Sequence, residues 1–89
     1  MILIIKLMPP YCKKGVPDKH KFELADQPVN LRELAARLNG EWKDILDYPL
    51  VDSRGHLTAE FTVNGNSASP DRLVQDGDRV TVIPYICGG

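Results

Sequence analysis

The chain has 89 residues, enough for one small domain with a single core and no room for an internal substrate cavity. Hydrophobic residues make up 43% and charged residues 26%, the balance of an ordinary globular protein. Since the formal net charge is −1 with both signs interspersed, the composition excludes an overall basic footprint for nucleic acid.

The apolar start of the chain, Met1 to Met8, is interrupted by Lys6 and ends at Pro9-Pro10. A run this short cannot span a bilayer, and it lacks the charged region and cleavage site of a signal peptide. It therefore predicts a strand within a sheet, in a cytoplasmic protein without membrane contact. With Lys6 in solvent, one face carries Ile2 and Ile4, and the core face carries Leu3, Ile5 and Leu7.

A second strand is predicted over residues 19–24, after a loop over residues 9–19 that is rich in proline, lysine and glycine. Its alternation turns Phe22 and Leu24 inward, and the two strands form a hairpin.

His20 on this strand and His56 in a later turn have no Asp, Glu or Cys at ligand spacing. We therefore expect both histidines on the solvated surface and no metal site.

One amphipathic helix is predicted to begin after Asn30. Asn30 is a favourable N-cap, and Glu33 three residues later completes a capping box. The helix has one apolar stripe, formed by Leu31, Leu34, Ala35 and Leu38. Asn39-Gly40 predicts its end, and a single stripe means that the helix packs across one side of a sheet.

Residues 41–58 are less regular. Trp42, Ile45 and Leu46 predict one short helical turn ended by Pro49, with Trp42 covering the end of the preceding helix. Residues 52–56 predict a turn.

A third strand and a tight hairpin are predicted next. Residues 59–64 alternate, with Phe61 and Val63 on the core face. Asn64-Gly65 is a strong hairpin signal, and residues 66–68 that follow it can form only a short edge strand.

The last part of the chain predicts a connection, a turn and a final strand. Leu73 is expected to anchor the connection, and residues 75–78 form the turn. The final strand covers residues 79–83, with Val80 and Val82 inward. Pro84 removes a backbone donor, so the pairing stops there. A sheet of four or five strands around one helix, with the last strand beside the first, is an α+β roll.

Three segments, taken together, resemble a known family. These are residues 30–35, residues 61–65, and residues 76–84 followed by the terminal Gly88-Gly89. The combination of Val-Asn-Gly, Asp-Gly-Asp-x-Val, the proline and Gly-Gly is similar to the ubiquitin-like sulfur carriers, which include the molybdopterin synthase small subunit and the thiazole-synthesis carrier. The resemblance covers nearly the whole chain and implies a β-grasp fold, a mixed sheet with one main helix packed on one face.

The resemblance implies a β-grasp domain over residues 1–84 and a flexible tail over residues 85–89. In this family an E1-like enzyme adenylates the terminal carboxylate with ATP and magnesium, and sulfide from a persulfide donor enzyme then displaces AMP to leave a thiocarboxylate. Carried over, the reacting residue is Gly89, and Gly88 belongs to the same motif. The chain is then a substrate rather than an enzyme and binds no cofactor itself. Its further partner is an acceptor enzyme, such as a larger synthase subunit.

Two glycines suit a tail that threads into another protein's active site, because no side chain can clash there. Cys87 departs from the small or apolar residue that is usual at its place in the family. Its thiol is compatible with an ordinary exposed side chain, with a sulfur relay, or with a bridge to Cys12 beyond the same end of the sheet. The sequence leaves these alternatives open.

The solvent face of the sheet is the expected partner surface, since the family binds partners through this face and the tail. Three isoleucines on two adjacent strands could form one apolar patch there. The predicted partner-binding residues are Ile2, Ile4, Thr62, Thr81, Ile83 and Tyr85.

Other functions stay open. A ubiquitin-like modifier joined through Gly89 to lysines of target proteins needs the same activation step. A β-grasp interaction domain with an incidental Gly-Gly is a third possibility. Within the carrier hypothesis, the sulfur could go to molybdopterin, the thiazole of thiamine, cysteine or a tRNA base, with molybdopterin narrowly first.

Overall fold

A computed structural model describes residues 1–25 and 27–84 of the chain. Its elements are β1 (Ile2–Leu7), β2 (Lys19–Glu23), α1 (Leu31–Glu41), β3 (Ala59–Val63), β4 (Asn66–Ser67) and β5 (Arg79–Pro84). The strands form one sheet in the order β2-β1-β5-β3-β4, with β1 parallel to β5 and every other neighbouring pair antiparallel. This mixed sheet with one helix confirms the predicted α+β roll.

The core lies between the helix and one face of the sheet. Its fully buried side chains include Leu3, Ile5 and Leu7 of β1, Phe61 and Val63 of β3, Val80 and Val82 of β5, and Leu31, Leu34, Ala35 and Leu38 of α1. Strands β1, β3 and β5 contribute alternate residues, and the helix contributes the predicted stripe. The predicted division of β1 into a core face and a solvent face is therefore confirmed.

The helix begins as predicted but ends later. The Asn30 side chain accepts from the Glu33 N–H at 2.8 Å, and the Glu33 carboxylate accepts from the Asn30 N–H at 3.4 Å. The expected stop at Asn39-Gly40 is wrong, because the helix runs to Glu41 and Trp42 is its C-cap. The Asn39 side chain instead accepts from the Leu50 N–H at 2.7 Å, so it is occupied in joining the helix to the next loop.

Trp42 covers the end of the helix, as predicted. Its indole lies edge-on to Phe22, with ring centroids 5.6 Å apart, and tilted against His20 at 5.1 Å. The expectation of a solvated His20 is therefore wrong. His20 is half-buried on the helix side of β2, and its Nε2 hydrogen-bonds to the carbonyl of Pro17.

The connection before β5 is anchored by a different residue from the one predicted. Leu73 is 54% exposed, whereas Val74 is only 4% exposed. The Val74 N–H donates to the carbonyl of Val29 at 2.9 Å, which places the Val74 side chain in the core. The apolar pair was recognisable in the sequence, but an irregular segment has no periodicity that shows which member points inward.

Two turns bring β3 and β5 together. Asn64 and Gly65 have φ angles of 53° and 86°, as a tight type I′ hairpin turn requires, and this confirms the predicted hairpin. Asp78, just before β5, is 6% exposed, and its carboxylate accepts from the Gln75 N–H at 2.8 Å and from the Asn64 side chain at 3.0 Å. The Asn64 side chain in turn accepts from the Arg79 N–H at 2.9 Å. These contacts fix the start of β5.

None of the helices in the described residues is both long enough and apolar enough to cross a bilayer.

Candidate functional site

The face of the sheet that the helix leaves uncovered, called here the open face, carries the outward residues of all five strands. Five predicted partner-binding residues lie on it, namely Ile2, Ile4, Thr62, Thr81 and Ile83. Ile2 is 46% exposed, and the other four are half-buried by their neighbours in the sheet. Their shared face follows from strand alternation, because each is one residue away from a buried position.

The strand register corrects one expectation about this face. Ile4 lies opposite Arg79 on β5, whereas Ile83 lies four residues further along β5 and opposite Glu60 on β3. At a rise of about 3.3 Å per residue, Ile83 is roughly 13 Å along the sheet from Ile4. Lys6 and Thr81 lie between them. The three isoleucines therefore do not form one apolar patch.

The open face also carries a basic cluster, defined as Lys6, Lys19, Lys21 and Arg79. Lys6 lies directly opposite Lys19 across the hairpin, and Lys21 and Arg79 flank Ile4 on its two sides. Sequence reasoning placed Lys6 on the solvent face but missed the cluster. The signal was available, since lysines occupy the outward positions of the second predicted strand.

The basic cluster surrounds a shallow hollow of about 360 Å³, lined by Ile4, Lys6, Lys19, Arg79, Val80 and Thr81. Ion pairs in the described part of the chain involve Arg32 with Asp71 and His56 with Asp52, both away from this face. The four cations have no carboxylate partner among the described residues. The lining of the hollow therefore combines apolar, hydroxyl and cationic side chains.

The final strand occupies the centre of the sheet. β5 pairs with β1 on one side and β3 on the other, and it extends one residue further than predicted, through Pro84 opposite Ala59. The Met8 N–H donates to the carbonyl of Val82 at 2.9 Å and continues the β1 pairing beyond Leu7. The predicted site residues Tyr85, Cys87, Gly88 and Gly89, and the boundary of the tail, lie outside the described residues.

Cys12 lies in the loop that leaves β1 at the same end of the sheet at which β5 ends. Its thiol donates towards the carbonyls of Val16, at 3.2 Å, and Pro17, at 3.3 Å. Burial raises the pKa of this thiol above its ordinary value, and the carboxylates of Asp18 and Asp47 raise it further. Cys12 is therefore a weakly nucleophilic thiol, because the thiolate is the reactive form.

The turn over residues 52–56 is held by one carboxylate. Asp52 accepts from the N–H groups of Arg54, at 2.8 Å, and His56, at 3.0 Å, which confirms the predicted turn. The backbone donors of His56 and Arg54 hold the pKa of Asp52 below its ordinary value.

Within residues 1–25 and 27–84, no three His, Cys, Asp or Glu side chains lie where they could jointly hold a metal ion.

Solved structures of several proteins share this fold. SAMP1 from Haloferax volcanii superimposes with a TM-score of 0.78 at 18% identity over the whole of both chains. The putative molybdopterin converting factor subunit 1 from Pyrococcus furiosus gives 0.72 at 21% identity, covering 96% of this chain and 98% of its own. A chain from the complex of molybdopterin-converting factor subunits 1 and 2 from Helicobacter pylori 26695 gives 0.59 at 19% identity over both full chains. These likenesses confirm the β-grasp fold.

The sequence comparisons give one match. No curated protein sequence matches the chain significantly. The model of the ThiS family matches residues 13–89, which is most of the chain and includes both terminal glycines. The chain therefore belongs to the ThiS family of ubiquitin-like sulfur carriers.

Proposed function

We propose that this protein carries sulfur as a thiocarboxylate on Gly89. The observation that carries the proposal is the family match, which covers residues 13–89 and therefore includes Gly88 and Gly89. A carboxylate is a poor electrophile, so an E1-like enzyme first joins it to AMP with ATP and magnesium and releases pyrophosphate. Sulfide, released from a persulfide enzyme by a thiol that reduces the S–S bond, then attacks the carbonyl carbon. AMP leaves, and the thiocarboxylate remains.

The open face is proposed as the surface by which partners hold the carrier. Ile83 lies on this face one residue before Pro84, so a partner that takes residues 85–89 into its active site lies next to Ile83. Thr81 and Thr62 are directly opposite each other on the neighbouring strands and extend the same surface. The remaining proposed contacts are Ile2, Ile4 and Tyr85.

The chain supplies the scaffold and the reacting terminus, and the activating enzyme supplies the chemistry. In this proposal the carrier is cytoplasmic, binds no cofactor of its own and is a substrate rather than a catalyst. ATP and magnesium are bound by the activating enzyme. The support is the match to the ThiS family over residues 13–89.

Molybdopterin synthesis is the first choice for the pathway. Two of the similar structures come from molybdopterin converting factor, and one of them is a complex of its subunits 1 and 2. By analogy, the acceptor of the sulfur is a larger synthase subunit that binds this chain. The thiazole of thiamine, cysteine and tRNA bases are alternative acceptors.

Intact-mass spectrometry after co-expression with an E1-like enzyme tests the function. We expect a species in which one oxygen is replaced by sulfur, with fragmentation placing the change at Gly89. A variant lacking Gly88 and Gly89 should show no such species, and Cys87→Ala should still show it. An added sulfur on Cys87 would instead support a thiol relay. Conjugates through Gly89 to lysines of other proteins, without thiocarboxylate, would support a protein modifier.

A further inference from the structure

The basic cluster gathers four cations on three adjacent strands. Lys19 and Lys21 lie on β2, Lys6 on β1 and Arg79 on β5. Neighbouring strands are about 4.8 Å apart, so the three strands bring these side chains within a width of roughly 10 Å. Lys19, Lys21 and Arg79 are exposed, and Lys6 is half-buried.

This arrangement is unfavourable for the isolated domain. Like charges directly opposite across antiparallel strands destabilise the pairing, and Lys6 and Lys19 are such a pair. The carboxylates on the strands of the open face stand at its borders, and the Asp76 carboxylate, in the turn before β5, accepts from the Ile2 N–H at 2.7 Å. Glu23 pairs with Ile2 at one end of the hairpin, and Glu60 accepts from the Ser67 hydroxyl at 3.1 Å on the far side of the sheet. An unfavourable local interaction that the rest of the domain does not offset, such as this repulsion between lysines, is expected at functional positions.

The hollow within the cluster has a shape and a lining that suit a carboxylate side chain. Its lining includes Ile4 and Thr81 together with Lys6, Lys19 and Arg79. The arginine can hold a carboxylate with two parallel hydrogen bonds, and the lysines add single charges around it.

We propose that the basic cluster is the docking site for an acidic protein surface, whose Asp or Glu side chains enter this hollow. The inference rests on the proposed function, because the partner is the enzyme that takes up the chain's terminus. Charge complementarity of this kind speeds association and selects the partner more than it adds affinity. The cations therefore steer the partner while Ile83, further along the face, supplies apolar contact.

A protein surface fits the observations better than a nucleic acid does. The whole chain has a formal charge of −1, so it lacks the extended positive surface with which proteins hold the phosphate backbone of a nucleic acid. No aromatic side chain lies on the described part of the open face to stack on bases. A small cationic hollow beside aliphatic residues resembles the mixed polar and apolar composition of protein interfaces.

The first test uses the isolated protein and chemical-shift perturbation by NMR, with polyglutamate as the acidic probe and polyglutamine as its neutral control. We expect polyglutamate to shift the amides of β1, β2 and β5 around the cluster, and salt to weaken the effect. Lys6→Glu/Lys21→Glu should abolish the shifts. Lys14→Glu/Lys43→Glu makes the same change of net charge at exposed lysines outside the sheet and should retain them.

Shifts scattered over the surface would overturn the proposal, as would equal shifts in the two double variants. Tighter binding of duplex DNA than of polyglutamate at this cluster would also overturn it, in favour of a nucleic-acid surface. Thermal unfolding of both variants checks that they fold. Replacing Lys6 removes its repulsion with Lys19, so the open-face variant should be at least as stable as the control.

The second test measures the rate at which thiocarboxylate forms on the carrier in the presence of the E1-like enzyme, when the carrier concentration limits that rate. We expect the rate to fall on the order of tenfold for Lys6→Glu/Lys21→Glu and to stay unchanged for Lys14→Glu/Lys43→Glu. Equal rates for wild type and both variants would overturn the acidic docking site and leave the proposed function standing. If wild type formed no thiocarboxylate, the proposed function would fail, and the NMR titration would decide the basic cluster by itself.

Discussion

The side-chain amide of Asn64 donates to the buried carboxylate of Asp78 across 3.0 Å, joining the turn after β3 to the start of β5. Asn64 also accepts from the Arg79 N–H, so both ends of its amide are engaged. This contact positions β5, the strand that carries Thr81 and Ile83 and leads to the chain end.

Replacing Asp78 should destabilise the fold. In Asp78→Ala the Gln75 N–H and the Asn64 amide lose their acceptor, and an unsatisfied buried donor costs about 1–3 kcal/mol. Urea unfolding should therefore show a lower midpoint with an unchanged slope. Asp44→Ala, at an exposed position, is the control and should stay within about 0.5 kcal/mol of wild type. Equal stability of the two variants would contradict this role for Asp78.

Two glycine substitutions should have effects of opposite sign. Gly65 has φ 86°, which alanine adopts only with strain, so Gly65→Ala should lose about 1 kcal/mol. Gly40 lies inside α1, and a Cβ added there meets nothing within 4 Å. Gly40→Ala should therefore gain about 0.5–1 kcal/mol by reducing the freedom of the unfolded chain. Thermal unfolding measures both, and a stabilising Gly65→Ala would contradict the turn geometry.

Ile83 should contribute apolar contact to the E1-like enzyme. Ile83→Thr keeps a β-branched residue in the strand and removes apolar surface, and we expect Kd to rise by a factor of about 5 or more. Leu73→Thr is the matched control, since Leu73 is an exposed aliphatic residue off the sheet. Titration calorimetry measures both affinities. A larger loss for Leu73→Thr would place the interface elsewhere.

The Cys12 thiol should react slowly at neutral pH. Its pKa is raised by burial and by Asp18 and Asp47, so at neutral pH its thiolate fraction is smaller than that of an ordinary thiol. In a Cys87→Ala background, alkylation by iodoacetamide should be slower than in the unfolded chain at pH 8 and should accelerate with rising pH. Asp18→Asn lowers the pKa and should speed the reaction, whereas Asp44→Asn should not. Alkylation as fast in the folded protein as in the unfolded chain would contradict the raised pKa.

Periodicity predicted most of the fold. The stripe of α1 and the alternation in β1, β3 and β5 are local patterns, and burial follows them residue by residue. The turn at Asn64-Gly65 was equally readable, because few residues other than Asn and Gly tolerate its two positive φ angles.

The remaining features depend on tertiary contacts that a linear pattern does not contain. The helix passes Gly40 because the Trp42 N–H donates to the Leu38 carbonyl at 2.8 Å and the indole packs on β2. The separation of Ile4 from Ile83 depends on the register between β1 and β5, which are more than 70 residues apart in sequence. The basic cluster depends on the same register together with the pairing of β1 with β2.

The central position of β5 has a mechanical consequence. A partner that pulls on the chain's end along this strand loads the hydrogen bonds to β1 and β3 together, in shear. An edge strand under the same load could peel away one bond at a time. The domain should therefore resist unfolding under such a load.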